Sequence, residues 1–304
     1  MDARPAIVVV GSLVIDLVVE VPHLPRLHET LVSTRSSRHL GGKGFNQALT
    51  AGRLGARATL IGAAGDDEAL ASFRELLARE GVELRVHLDA AGTGLAFPMV
   101  LPDGHNAIVL LPRANLALAP SHVTASADAF RGASLVLLQH EVPVEASIAA
   151  ARLAREAGAT VIVNPAPARS DAEELLSLAD WLVPNEVEAS ALAGVEVTDP
   201  ASAFAAAEAL LGRVRHGVVV TLGAAGAVAL ERTGGRHRVA PHVVTAVDPT
   251  GAGDAFCGAF AVALGEGRAV ADALGFASAA GAFAVTRRGA EPGLPRRADL
   301  EDAS

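Results

Sequence analysis

Short β-branched runs alternate with stretches rich in Ala, Leu and Glu along most of this chain. Ala6–Val10, Thr59–Gly62, Leu135–Leu138, Thr160–Val163, Trp181–Val183 and Val218–Thr221 are continuous and apolar, the pattern of strands buried on both faces. Between them, Phe45–Leu54, Glu68–Arg79, Val144–Ala157, Asp171–Leu178, Glu186–Leu192 and Ala201–Leu211 carry apolar residues at helical spacing in a helix-forming composition. Strand and helix in alternation predict parallel β-α-β units. The expected fold class is α/β, with a doubly wound, mostly parallel central sheet and helices on both faces. Ligands in such sheets bind beyond the C-terminal strand ends, so chemistry is to be sought there.

Two regions break the rhythm. Leu13–Glu20 and Thr30–Leu40 are consecutive strand-like runs, and Gly94–Leu101 with Asn106–Leu111 form a hairpin pattern around Pro102-Asp103-Gly104. With no helices between them, they predict a small, mostly antiparallel sheet drawn from about residues 12–40 and 94–112. That sheet is expected as an insert in one domain spanning residues 1–304, suited to act as a lid or a dimer contact. The tail Pro292–Ser304, polar and rich in Pro and Arg, reads as a closing segment with a frayed end.

Composition narrows the function classes. Across 304 residues, 51% are hydrophobic and 19% charged, which describes a globular chain with a large core. A net charge of −9 with scattered basic residues argues against nucleic acid or an anionic membrane as the main partner. The single cysteine, Cys257, excludes a disulfide framework or a cysteine metal site within the chain, and its apolar surroundings predict a buried, inert thiol. No apolar run reaches the roughly 18 residues of a membrane helix. Met1–Pro5 leads almost directly into a strand and leaves no room for a signal peptide, so the expected location is the cytoplasm.

Candidate chemistry concentrates at four segments. Asp248-Pro249-Thr250-Gly251-Ala252-Gly253-Asp254 follows Val243–Val247, which reads as a strand, and opens the apolar helical stretch Ala255–Leu264. A glycine turn feeding a helix start aims unpaired N–H groups at one spot and favours an anion such as phosphate. Asp254, in the first helical turn, is placed to take a proton from an attacking hydroxyl, or simply to cap the helix. Gly41-Gly42-Lys43-Gly44-Phe45-Asn46-Gln47-Ala48 looks like a phosphate loop but fails G-x-x-x-x-G-K-[ST], with Ser37 at the first glycine position and Gly44 after Lys43. Its glycines allow close backbone approach to a ligand, with Lys43 and Asn46 at the edge, or form a plain turn with a solvated lysine. Asp16 can accept hydrogen bonds from two adjacent hydroxyls. Asn185 and Glu188, one helical turn apart after a strand, suit water-mediated Mg²⁺ or a helix cap. Thr221-Leu222-Gly223-Ala224-Ala225-Gly226 offers backbone N–H groups to phosphate, or is a hairpin turn.

In order and at these spacings, the segments resemble the ribokinase-like (PfkB) carbohydrate kinases. The Gly-Gly-Lys-Gly-x-Asn-Gln-Ala stretch is similar to that family's N-terminal signature, Asp248–Asp254 to its D-x-T-G-A-G-D signature, and Asn185–Glu188 to its N-x-x-E motif. The likeness runs on through Gly11-Ser12, Gly65-Asp66-Asp67, Asn164–Ala168 and Thr286–Ala290. It implies transfer of the γ-phosphate of ATP to the primary (O5) hydroxyl of a pentose, D-ribose first. By resemblance Asp254 is the base, and the N–H groups of Gly251, Ala252 and Gly253 stabilise the developing charge. Asp16, Gly42, Lys43, Asn46 and Glu141 match sugar-binding positions; Asn185, Thr221, Leu222, Gly223, Ala224, Ala225, Gly226, Gly253 and Ser278 match nucleotide contacts. Glu188 would meet Mg²⁺ through water. A monovalent cation, K⁺, is implied beside Asp248, Thr250, Ala284, Arg287, Gly289 and Gly293. Relatives often pair their lids, so a homodimer is expected.

Three positions depart from the family pattern. Val14 stands where Asn commonly precedes the sugar-binding Asp, which hints at a substrate with fewer or differently placed hydroxyls, such as 2-deoxyribose. Phe45 replaces a small residue and either stacks on a ring or packs in the core. Gly293 replaces a residue that often carries a hydroxyl, losing a side-chain ligand but keeping the carbonyl. The alternatives to a ribose kinase are therefore a kinase of 2-deoxyribose, a nucleoside, fructose or a keto-deoxy sugar acid, and a non-catalytic sugar-binding regulator.

Overall fold

The alternation of strand and helix is present in the computed structural model, which describes residues 4–33, 35–102 and 106–301. β1 (Ala6–Val10), β2 (Val14–Glu20) and β3 (Arg35–Gly41) precede α1 (Lys43–Arg53), β4 (Arg57–Ala64), α2 (Glu68–Arg79) and β5 (Glu83–Leu88). The hairpin β6 (Gly94–Val100) and β7 (Asn106–Leu111) is followed by the short helices α3 (Pro120–Thr124) and α4 (Ala127–Phe130). Then come β8 (Leu135–Leu138), α5 (Val144–Glu156), β9 (Thr160–Val163), α6 (Glu173–Leu178), β10 (Trp181–Leu182) and α7 (Glu186–Ala193). After α8 (Pro200–Leu211) run β11 (Gly217–Thr221), β12 (Ala227–Glu231) and β13 (Arg236–Val239). Helices α9 (Ala252–Gly265), α10 (Val270–Ala284), α11 (Ala290–Gly293) and α12 (Arg297–Glu301) follow.

Nine strands form one sheet in the order β13-β12-β11-β10-β9-β8-β1-β4-β5. Its pairings are parallel except β11–β12 and β12–β13. Alternate residues of the buried strands feed two cores. Ile7, Val9, Leu135 and Leu137 pack with α1, α2, α9 and α10, while Val8, Val10, Val136 and Leu138 pack with α5, α6 and α8. The chain builds outward from β1 through β4 to β5, then returns to β8 on the other side of β1. That reversal opens a crevice at the C-terminal ends of β1 and β8, where such sheets bind ligands. Gly44 lets α1 settle into it, since a Cβ there would lie 2.5 Å from Ser12 N. Phe45 is fully buried, edge-on to Phe73 with ring centroids 4.8 Å apart, and so packs in the core.

The four remaining strands form a separate sheet, β3-β2-β6-β7. β2–β3 and β6–β7 are antiparallel and β2–β6 parallel. In register Asp16 faces His39 and Val18 faces Ser37, which puts these four side chains on one face.

Some expectations need correction. Val243–Val247 is not a strand. Among the described residues only its last residue finds a backbone partner, Val247 N–H donating to the Val285 carbonyl at 2.7 Å; Val243 is fully exposed, and a β-branched composition without a packing partner does not make a strand. Of Thr30–Leu40, pairing begins only at Arg35, opposite the last residue of β2, and Val32 is 82% exposed. Thr34, the turn residues Asp103 and Gly104, and residues 302–304 of the expected frayed end lie outside the described residues. The described part of that tail is docked: Arg297 donates from Nε to the Leu54 carbonyl (2.9 Å) and Arg296 pairs with Glu80 (2.6 Å).

Candidate functional site

Two of the segments that the sequence reading singled out, Gly41–Ala48 and Asp248–Asp254, meet residues from the ends of β1 and β8 at the crevice. Ser12 follows β1, and its hydroxyl donates to Glu141 Oε2, which lies just beyond β8. The same carboxylate oxygen accepts the Lys43 backbone N–H at 2.9 Å. Glu141 thus fixes the N-terminus of α1, where Gly42 caps the helix without a side chain, and a carboxylate beside free helix N–H groups is favourable. α1 in turn presents Lys43 and Asn46 to Asp254 on α9. Asn46 Nδ2 donates to Asp254 Oδ2 at 2.8 Å, joining two residues remote in sequence. Asn46 Oδ1 is buried without a protein partner among the described residues, an acceptor open to a hydroxyl donor.

The electrostatics follow from burial. Asp254 is 7% exposed, and loss of water pushes its carboxyl above the usual range, opposed by Lys43 and by the amides of Asn46 and Gln47. Burial alone would lower Lys43, but Asp254, Glu141 and Glu188 carry its ammonium above the ordinary value, so it stays charged. At Asp16 desolvation, then repulsion from Glu141, Asp254 and Asp248, lift the carboxyl to about 7. A side chain at Gly41 would strike that carboxylate, its Cβ lying 2.4 Å from Asp16 Oδ2. The Cys257 thiol is buried and raised well above its ordinary value, an inert group.

α9 begins as an anion site requires. Gly251 caps it with φ 83°, a left-handed conformation that favours glycine. Of the three N–H groups expected to meet phosphate, that of Ala252 donates to the Pro249 carbonyl at 3.2 Å. Those of Gly251 and Gly253 make no backbone hydrogen bond among the described residues, and a Cβ on Gly253 would meet nothing within 4 Å. The helix start is open on that side.

Asn185 and Glu188 form a reciprocal cap on α7. Asn185 Oδ1 accepts the Glu188 N–H and Glu188 Oε2 accepts the Asn185 N–H, each at 2.9 Å. The cap leaves the second carboxylate oxygen for other partners, and burial raises this carboxyl. Thr221 bridges to Asn185 in parallel, and its N–H donates to the Pro184 carbonyl at 3.0 Å, so the two segments sit side by side. Leu222–Gly226 makes the hairpin turn between β11 and β12, closed by Leu222 N–H to the Gly226 carbonyl at 2.8 Å, with Gly223, Ala224 and Ala225 exposed. Ser278 is half-buried on α10, which packs on α9 and β13.

Around Asp248 the polar groups converge. Its Oδ1 accepts Thr250 N–H (2.9 Å) and hydroxyl (2.6 Å), and Oδ2 accepts Gly289 N–H (2.8 Å). Burial opposes ionisation, but these three donors hold the carboxyl below its usual range. Gly293 faces the Ala284 carbonyl so closely that a Cβ would lie 2.8 Å from that oxygen. Arg287 is exposed and lays its guanidinium over Phe283, 3.9 Å from the ring centroid, so only its backbone can contribute here. Arg53, 7% exposed at its side chain, donates to the Glu291 carbonyl (2.7 Å) and the Leu294 carbonyl (3.0 Å), tying this loop to the end of α1.

Sequence reading assigned no role to Ser12, Gln47, Gln139 or Asn164, all buried and all hydrogen-bonded into the site. Three of them share a signal that was available: a polar residue just beyond a fully apolar strand, Ser12 after β1, Gln139 after β8 and Asn164 after β9.

Comparison with known proteins shows the family. The model of the pfkB family carbohydrate kinases matches residues 4–297. Ribokinase of Haemophilus influenzae is 38% identical over 297 residues, covering 97% of this chain and 96% of that protein. Ribokinase of Staphylococcus aureus is 35% identical over 95% of this chain and 96% of its own length. The structure of Arabidopsis thaliana ribokinase complexed with ribose and ATP superposes with a TM-score of 0.90 at 32% identity, covering 98% of each chain. A family model spanning nearly the whole sequence, and relatives this similar along their full length, place the chain in the pfkB family of carbohydrate kinases.

Proposed function

We propose that this chain is an ATP-dependent kinase that transfers the γ-phosphate of ATP to the primary (O5) hydroxyl of D-ribose. The observation that carries the reading is Asp254, buried at the open N-terminus of α9 and held by Asn46 of the glycine-lysine segment. Asp254 takes the hydroxyl proton as O5 bonds to the γ-phosphorus and the bond to the β-phosphate oxygen breaks, leaving ADP. Lys43 and the Gly251 and Gly253 N–H groups offset the charge developing on the phosphoryl oxygens. Asp16 and Glu141 accept from sugar hydroxyls, the Asn46 carbonyl oxygen accepts another, and Gly42 allows the sugar to approach the backbone. Asn185, Ser278 and the turn from Thr221 to Gly226, exposed at Gly223, Ala224 and Ala225, line the nucleotide side. The ribokinase relatives, and the one complexed with ribose and ATP, support this choice of substrates.

Two ions fit the residues present. K⁺, a hard cation that takes oxygen ligands, would be held by Asp248 and the carbonyls of Thr250, Ala284, Arg287, Gly289 and Gly293. The bare Cα of Gly293 keeps the Ala284 oxygen uncovered, so glycine there suits a carbonyl cradle. Such a cation would supply positive charge beside the anion hole. Mg²⁺ would meet Glu188 through water, as suits an ion that keeps its hydration shell.

A coupled ADP-release assay with Mg-ATP and K⁺ tests the reading, comparing D-ribose, 2-deoxy-D-ribose, fructose, a keto-deoxy sugar acid and nucleosides. Ribose is expected to give the highest kcat/KM; absence of any sugar-dependent ADP release would sink the kinase reading. One observation favours a second substrate. Val14 is buried at the start of β2, two residues from Asp16, and offers no hydrogen bond to a hydroxyl. Preference for 2-deoxyribose would trace to it.

The second sheet is proposed as a lid that closes over the sugar and as a dimer contact. β7 is its edge strand, and Ile108, Val109 and Leu111 are 56%, 53% and 45% exposed. An apolar, unpaired edge is a surface that proteins usually cover. Light scattering at micromolar concentration is expected to give twice the 30.8 kDa chain mass. A monomer mass would refute the pairing. Among the described residues no helix is long and apolar enough to cross a membrane, and the ATP-rich cytoplasm suits the activity.

A further inference from the structure

Asp254 is gripped by a second amide whose orientation is set from outside the site. Gln47 Nε2 donates to Asp254 Oδ1 at 3.1 Å and to Asn164 Oδ1 at 3.2 Å. Gln47 and Gln139 are both fully buried, and Gln139 Nε2 donates to Gln47 Oε1 at 2.7 Å. A primary amide can rotate by half a turn and exchange its donor and acceptor ends. Here that freedom is removed stepwise. The Val183 backbone carbonyl is acceptor-only and takes Asn164 Nδ2 at 2.8 Å, which turns Asn164 Oδ1 toward Gln47. With an acceptor from Asn164 on one side and a donor from Gln139 on the other, Gln47 must show its NH₂ to Asp254.

The arrangement is costly, which argues that it is kept for a purpose. Gln139 Oε1 is buried with no partner among the described residues, which carries a desolvation penalty. It also depends on Gly11, since a Cβ there would lie 2.1 Å from that oxygen. Asn164 and Gln139 stand at the ends of β9 and β8, so the relay transmits the fixed geometry of the sheet to a side chain on α9.

We propose that Gln47, oriented by Gln139 and Asn164, is a positioning residue that holds the Asp254 carboxylate acceptor-ready and at one rotation toward the sugar hydroxyl. The inference rests on the reading of Asp254 as the base. Asn46 grips the other oxygen, so loss of Gln47 leaves the carboxylate free to turn and removes a donor that favours its ionised form. The charged and titratable groups around Asp254 are Lys43 on α1, Asp16 on β2, Glu141 after β8, Glu188 on α7 and the buried Cys257 on α9. All of them remain when the amides are replaced, so a change in pH dependence reports the relay.

The test is the pH dependence of kcat and of both KM values for Gln47→Met and Gln139→Met, which keep side-chain volume, with thermal unfolding alongside. Gln47→Met is expected to lower kcat about 10–100-fold at pH 7 and move the acidic limb of the profile up by about one pH unit, with KM for ribose and ATP changed less than about threefold. Gln139→Met should act in the same direction by a smaller factor. If Gln47→Met does not fold, Gln139→Met and Asn164→Ser carry the same readouts. A folded variant with an unmoved acidic limb, or a loss confined to KM, overturns the inference while wild-type turnover stands. A wild-type chain without sugar-dependent turnover overturns the base assignment itself, and the inference with it.

Discussion

Replacing Asp254 by Asn is expected to lower kcat for ribose by about 10²–10⁴-fold, the range that a positioned general base contributes. Asn keeps the shape but loses the proton acceptor. The two NH₂ groups that now donate to the carboxylate oxygens, from Asn46 at 2.8 Å and Gln47 at 3.1 Å, would face an amide with only one acceptor oxygen. Lys43 also loses the largest of the carboxylate interactions that keep it charged. Sugar binding should survive, because Asp16, Asn46 and Glu141 are untouched, so KM is expected to stay within severalfold. Burial disfavours the ionised carboxyl, so a neutral residue there should leave the melting temperature close to wild type. ADP release in the coupled assay decides it. A folded variant that keeps more than a tenth of wild-type kcat would show that the proton leaves by another route. Turnover that vanishes in the variant would also eliminate a silent sugar-binding regulator.

How much of this was legible depends on the distance over which each feature is encoded. β1, β8 and β9 match their expected bounds because four or five apolar residues between turns have one reading in a parallel sheet. α2, with Asp67 accepting the Leu70 N–H at its cap, is encoded within a few residues and was equally plain. β5 escaped notice because it is a sheet edge that mixes Arg85 and His87 into its run, so it lacks the buried-strand signature. α10 escaped because its Ala- and Gly-rich sequence shows no clear apolar stripe. Val243–Val247 misled for the converse reason: strand propensity is realised only against a partner strand and a packed face, and this largely exposed run joins neither sheet. At the site, the glycine turns and Asp254 could be read locally. The contacts that bind Asn46 and Gln47 to Asp254, and Glu141 to Ser12, arise from folding the β1/β8 crevice. No local spacing contains them. The resemblance named several of these residues, but the amide relay behind the base appears only when the strand ends are in place.

Asp16 carries the second large effect, because here binding and stability oppose each other. Its carboxyl, lifted to about 7 by desolvation and by Glu141, Asp254 and Asp248, must be ionised to accept from sugar hydroxyls. The ionised fraction falls from about nine-tenths at pH 8 to about one-tenth at pH 6, so kcat/KM for ribose should drop roughly tenfold across that window. In Asp16→Asn this component of the pH dependence should disappear, and KM should rise about 10–100-fold through loss of a charge-assisted hydrogen bond. Stability should move the other way. A carboxyl raised in the folded state stabilises the fold fully only below its unfolded value, near 3.8, and loses that contribution as pH rises through about 7. At pH 8 the wild type therefore holds a destabilising charge. Asp16→Asn should be more stable there by on the order of 2 kcal/mol, with the gap closing as pH falls toward 4. Denaturant unfolding of the sugar-free protein at pH 8 and pH 5, with His39, Lys43, Glu141, Asp248 and Asp254 unchanged around the site, separates this from a general effect. A variant less stable than wild type at pH 8 would mean that Asp16 is a structural residue, and the sugar-binding role assigned to it would lose its electrostatic basis.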